Sequence, residues 1–80
     1  MSTSPVRIEP LAVSVRCTTD DLHVVLADGR QIVVPLVWFP RLQGAADAER
    51  NHYRLIGGGV GVHWPDLDED ISVEGLLAIR

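Results

Sequence analysis

The stretch Ile56 to Leu77, IGGGVGVHWPDLDEDISVEGLL, decides how this chain folds on paper. It joins a glycine cluster, a His-Trp-Pro step, an acidic turn and a helix start. Tyr53 to Ile56 and Val60 to Trp64 each alternate in polarity, so Gly57-Gly58-Gly59 between them predicts a second hairpin or a bent strand pair. Gly61 inside the return strand signals a bulge or a close backbone approach. The acidic run Asp66, Asp68, Glu69 and Asp70 reads as a solvated turn whose carboxylates favour the N-terminus of the helix that follows. That helix is expected to start near Ser72 as N-cap, with Glu74 in its first turn and Ile71 stapled to Leu76. Gly75 costs it about 1 kcal/mol relative to Ala, so packing of Leu76, Leu77 and Ile79 on the sheet has to hold it.

Upstream, Leu11 to Thr18 places Leu11, Val13, Val15 and Cys17 on one face and Ser14, Arg16 and Thr18 on the other, the period of a half-buried strand. Thr19-Asp20-Asp21 supplies turn chemistry before a second strand, Leu22 to Ala27. Asp28-Gly29 is the signal of a type I′ turn, which makes Leu22 to Pro35 a hairpin. Pro35 and Pro40 bracket Leu36-Val37-Trp38-Phe39 and break any long element there, leaving short helical turns. Pro40 fits the first position of a turn that Gly44 ends. Ala46 to Asn51 is a short helix with Asp47 and Glu49 early and Arg50 late, as the helix dipole prefers. The result is an α+β fold: a small antiparallel sheet of two hairpins with short helices packed on it. The 80 residues read as one small domain, with 1–5 as a flexible lead-in.

Composition narrows the function classes. All seven basic residues are Arg, eleven residues are acidic, and the formal charge is -4. Nucleic-acid affinity comes largely from neutralising phosphates, so an acidic, Lys-free chain lacks that footprint. No apolar segment approaches the roughly 18–20 residues of a membrane span, and no signal-like segment precedes the fold, so a cytoplasmic protein is expected. The single Cys17 cannot form an internal disulfide or a cysteine cluster and is expected as a small core residue.

The glycine cluster does not match a dinucleotide-binding loop. A third glycine is required at 62, where Val62 stands, and a strand pattern follows instead of a helix. Nor does the acidic run match an EF-hand: Ile71 stands where glycine is needed and Leu77 where glutamate is needed. His63 beside Trp64 invites a proton-transfer role, yet strand neighbours point to opposite faces and no nucleophile motif accompanies them. No catalytic residue, metal ligand or cofactor site is assigned. The aromatics are Trp38, Phe39, Tyr53 and Trp64. Trp64 and one of the Trp38-Phe39 pair are expected in the core. A tryptophan left at the surface beside Arg41 or Asp66 would be an interface anchor. Arg41, Arg50 and Arg54 are expected on the surface, pairing with the acidic turn within the chain or across a dimer.

The segments WFPRL at Trp38 to Leu42, GVHWP at Gly61 to Pro65 and DEDISVEGLL at Asp68 to Leu77 resemble the bacterial domain-of-unknown-function family 2442. The likeness runs from about Leu22 to Leu77; Val37, Ala46 and Ala48 depart from the pattern. The resemblance implies a small α+β domain with no agreed catalytic residues. Members often lie beside a second small protein, of domain-of-unknown-function family 4160, which implies an antitoxin-like half of a two-protein pair.

These readings converge on a small non-enzymatic interaction module that binds a small, basic partner protein. Its expected surface is Trp38, Arg41, His63, Trp64, Asp66, Asp68, Glu69 and Asp70. The alternative is a structural or ligand-sensing homodimer; a small enzyme or metal-binding protein is the third reading.

Overall fold

The computed structural model describes residues 10–78. The expectations for 1–5 and for Ile79 lie outside that range. Two three-stranded antiparallel sheets and three short helices make the α+β domain; the two expected hairpins lie in separate sheets, the first joined by the expected Leu11–Thr18 strand and the second by a strand that was not expected.

The first sheet runs β1 (Ala12–Cys17), β2 (Asp21–Leu26) and β3 (Gln31–Pro35), in that spatial order. Leu22, Val24 and Leu26 alternate inward along β2 and are at most 1% exposed. Strand β1 departs from simple alternation. Its register against β2 slips between Ala12 and Ser14, a bulge that puts Ala12 and Val15 in the core and turns Val13 outward, 53% exposed. The expected inward face of Leu11, Val13, Val15 and Cys17 is therefore corrected: Ala12 replaces Val13, and Leu11 and Cys17 are only partly buried.

The turn between β1 and β2 is built by Thr18, whose hydroxyl oxygen accepts from the Asp21 amide at 2.9 Å and the Asp20 amide at 3.3 Å. At Asp28-Gly29 the hairpin is present but the type I′ turn is not. Only Gly29 has positive φ, at 92°, and the Gly29 amide donates to the Leu26 carbonyl at 3.0 Å. The loop is the three-residue kind, a tight turn closed by a left-handed glycine. Asp28 stabilises it through its carboxylate, which accepts from the Arg30 amide at 2.9 Å.

Beyond β3 comes a 3₁₀ turn, Leu36–Trp38, then α1 (Pro40–Gln43), with proline at its first position and Gly44 at its C-cap as expected. Helix α2 (Asp47–Asn51) follows. Ala46 has no side-chain oxygen to cap it, so only half a capping box forms, the Ala46 amide donating to Glu49 at 2.9 Å.

The second sheet is β4 (Arg54–Ile56), β5 (Gly61–Trp64) and β6 (Glu69–Ser72), again in that order. Strand β6 was not expected. The acidic turn is shorter than the run of acids, and Glu69 and Asp70 pair with Trp64 and His63 across the ladder. Helix α3 (Val73–Ala78) begins directly after it, with Ser72 Oγ accepting from the Gly75 amide at 2.9 Å, so the cap at Ser72 is present. Leu76 is buried, but Leu77 is 43% exposed and does not pack on the sheet, because Val73 and Leu76 already form the inward stripe of this short helix.

The sheets share one core, to which β1, β2 and β3 of the first sheet, β5 and β6 of the second, and Leu36, Leu42, Val73 and Leu76 all contribute. Among the described residues two hydrogen bonds tie them together. The Ala12 amide donates to the Gly59 carbonyl at 2.7 Å, and the Val15 amide to the Tyr53 hydroxyl at 3.3 Å.

Candidate functional site

The eight residues of the expected surface divide into a core member and a surface group. Trp64 is the core member. It is fully buried on β5, its ring tilted against Tyr53 at 6.4 Å between centroids. Its indole N–H donates to the Arg50 carbonyl at 3.0 Å, so its polar atom is satisfied inside the fold. Trp64 therefore cannot anchor a partner, and its place in the expected surface is corrected. The physical reason is alternation: Val62 and Trp64 face inward together, which turns His63 outward.

Trp38, also of the expected surface, is the tryptophan left exposed. It ends the 3₁₀ turn with 49% of its surface exposed, next to exposed Val37, while Phe39 packs partly on the core. Proline at 35 and 40 explains the position. The chain can neither continue β3 nor begin α1 before Pro40, and the bend between them carries the ring outward.

Arg41, three residues on, reaches the acidic turn. Its guanidinium donates to the Asp68 carbonyl at 2.7 Å. Asp68 is the only non-glycine among the described residues with positive φ, at 49°, and Arg41 engages the backbone of that left-handed residue. Because Arg41 is held by a carbonyl, the Asp68 carboxylate is not neutralised by it. Asp66 and Asp70 each meet an imidazole: His52 Nδ1 lies 2.8 Å from Asp66, and His63 Nδ1 lies 2.5 Å from Asp70. His63 sits in a cross-strand row with Arg54 on β4 and Asp70 on β6. Among the described residues, neither Asp68 nor Glu69 forms an ion pair.

Two contributors escaped the sequence reading. Arg50 donates to the Leu42 carbonyl at 2.8 Å and the Gln43 carbonyl at 2.6 Å, binding the C-terminal end of α1 while its own carbonyl receives Trp64. A basic residue late in α2 pointed to the dipole of its own helix, and only the fold brings the end of α1 beside it. His52 pairs with Asp66, fourteen residues away, and no spacing rule signals that contact.

Among the described residues no three His, Cys, Asp or Glu side chains come together as metal ligands. Cys17 is partly buried, and that burial pushes its thiol pKa above the usual value despite the nearby Arg50 charge, so the thiolate is disfavoured. A surface pocket of about 310 Å³ lined by Pro10, Leu11, Val60, Ser72 and Glu74 shares no residue with the Trp38 corner.

A family model described as "Protein of unknown function (DUF2442)" matches residues 12–80. The chain belongs to this family. The DUF2442 fold is also found in a crystal structure of a protein of unknown function from Rhodospirillum rubrum ATCC 11170, 33% identical, with a TM-score of 0.76. The match covers 89% of this chain and 88% of that one, so the architecture is shared nearly end to end. A search of curated proteins returns no match. Among the described residues no helix is long and apolar enough to cross a membrane.

Proposed function

We propose that this DUF2442 protein is a non-enzymatic interaction module that binds a small basic protein, in an antitoxin-like role within a two-protein pair. The observation that carries this reading is the half-exposed Trp38 three residues before Arg41, whose guanidinium donates to the Asp68 carbonyl in the acidic turn. Tryptophan at the surface is among the residue types most enriched in interface hot spots. The carboxylates of Asp68 and Glu69, joined by Asp66 and Asp70, would orient a cationic partner and raise its association rate. The acidic balance of the whole chain acts in the same direction.

Co-purification from the native host, with the wild-type chain beside Trp38→Ala and Asp68→Asn variants, tests the reading. The expected result is a stoichiometric small basic protein retained by the wild type. Trp38→Ala weakens it by about 30-fold, the loss of a hot spot worth about 2 kcal/mol. Asp68→Asn slows association, and the effect shrinks at high salt. Equal retention by all three folded chains, or no partner at all, overturns the proposal.

A further inference from the structure

Among the described residues strand β3 is an edge of its sheet, and its hydrogen-bonding phase is fixed at both ends. The Leu26 amide donates to the Arg30 carbonyl and the Leu36 amide to the Asp20 carbonyl, each at 2.8 Å. Counting inward from either bond, Ile32 and Val34 direct their backbone groups to β2, while Gln31, Val33 and Pro35 direct theirs away from the sheet. The two edges of this sheet differ sharply. On β1 the Ala12 amide is taken by Gly59 and the Val15 amide by the Tyr53 hydroxyl. On β3, among the described residues, the outward groups of Gln31 and Val33 have no protein partner.

Natural edges of this kind are usually blunted by charge. This one is not: Gln31 to Pro40, QIVVPLVWFP, contains no charged residue. Val33 at the middle of the strand is 53% exposed, and Pro35 removes one donor while leaving its carbonyl. We infer that β3 is a homodimerisation edge, pairing antiparallel with β3 of a second copy to form one continuous six-stranded sheet.

A two-fold axis at Val33 gives the one register that overlaps all five residues. Val33 meets Val33 of the second copy and exchanges two hydrogen bonds. Gln31 of each copy donates to the Pro35 carbonyl of the other, so the missing proline donor costs no donor on the facing strand. The side chains on the outer face are Gln31, Val33 and Pro35, so no like charges oppose each other across the axis. A five-residue strand is about 17 Å long and covers less than the roughly 800 Å² per partner of a standard interface, so the dimer is weak and concentration-dependent. This inference does not rest on the partner reading, because Trp38 and the acidic turn take no part in it.

Sedimentation velocity of the full chain from low micromolar to millimolar concentration tests it. The wild type is expected to shift from monomer to dimer, with new exchange protection at the Val33 and Gln31 amides in the dimer. Val33→Lys, which places two ammonium groups face to face at the axis, leaves a folded monomer throughout. Val13→Lys, on the opposite strand and equally exposed at 53%, leaves the dimer intact. If Val33→Lys does not fold, Gln31→Pro replaces it, since the Gln31 amide is unused within the sheet. A wild type that stays monomeric, a Val33→Lys dimer, or dissociation by Val13→Lys overturns the inference.

Discussion

The two sheets reach the same three-stranded topology by different means. In β1–β3 six strand residues enter the core, Ala12, Val15, Leu22, Val24, Leu26 and Val34, so the load is spread and the register is fixed many times over. In β4–β6 only Val62, Trp64 and Ile71 do so, and all three residues of β4 are exposed. The second sheet therefore depends on one large side chain and on a glycine loop that docks on the first. The first is redundant and the second is not, which concentrates sensitivity to mutation in a few positions of the second half.

The sharpest way to break that contrast is Trp64→Ala. The residue is fully buried, and its loss removes the largest core side chain together with the indole bond to the Arg50 carbonyl. We expect a loss of about 3–5 kcal/mol, comparable to the entire stability of a small domain. Urea unfolding followed by circular dichroism measures it. A loss under about 1 kcal/mol would mean that the second sheet does not rest on this ring.

A smaller effect separates neighbouring glycines. Gly59 has φ of 115°, and a Cβ there would lie 2.4 Å from the Ala12 carbonyl oxygen and 2.9 Å from the Ala12 nitrogen, at the bond that joins the sheets. Gly59→Ala should cost about 2–4 kcal/mol, from strain and the lost hydrogen bond. Gly58 also has positive φ, at 73°, but nothing lies within 4 Å of its Cβ position, so Gly58→Ala should cost about 1–2 kcal/mol. Thermal melts of the two variants give the comparison. Equal losses would show that the loop is strained but not docked.

The difference between the sheets also explains what could be read in advance. The first hairpin was legible because its signals are local, an alternating apolar pattern on either side of Asp28-Gly29. Its turn type was not, since the same dipeptide suits two loop lengths, and the bulge at Val13 has no sequence mark. In the second sheet β6 was hidden by its own composition. Glu69 and Asp70 are poor strand formers, and they are held by pairing with Trp64 and His63, a tertiary effect that overrides propensity. The candidate site was half legible for the same reason. Trp38 and the acids announce themselves by residue type, whereas the Arg41 bond to the Asp68 carbonyl, the Arg50 bonds to the end of α1 and the His52–Asp66 pair depend on the chain folding back.

The mildest prediction belongs to the well-determined hairpin and turns on pH. The Asp28 carboxylate is held below the usual carboxylate range, first by the Arg30 backbone amide and then by the Arg30 side chain, whose Nε lies 2.8 Å away. Its folded pKa is thus lower than its unfolded one. The stabilisation it confers is fully present above the unfolded value, about 4, and is lost as pH falls through the folded value. Asp28→Asn should therefore melt slightly lower than the wild type at neutral pH, with the gap closing as the solution is acidified below pH about 4. Melting curves across that range check the sign. A gap that widens on acidification would mean that Asp28 is a strained acid rather than a stabilised one. Because the substitution touches only the loop, the protection of the β5 and β6 amides should not change.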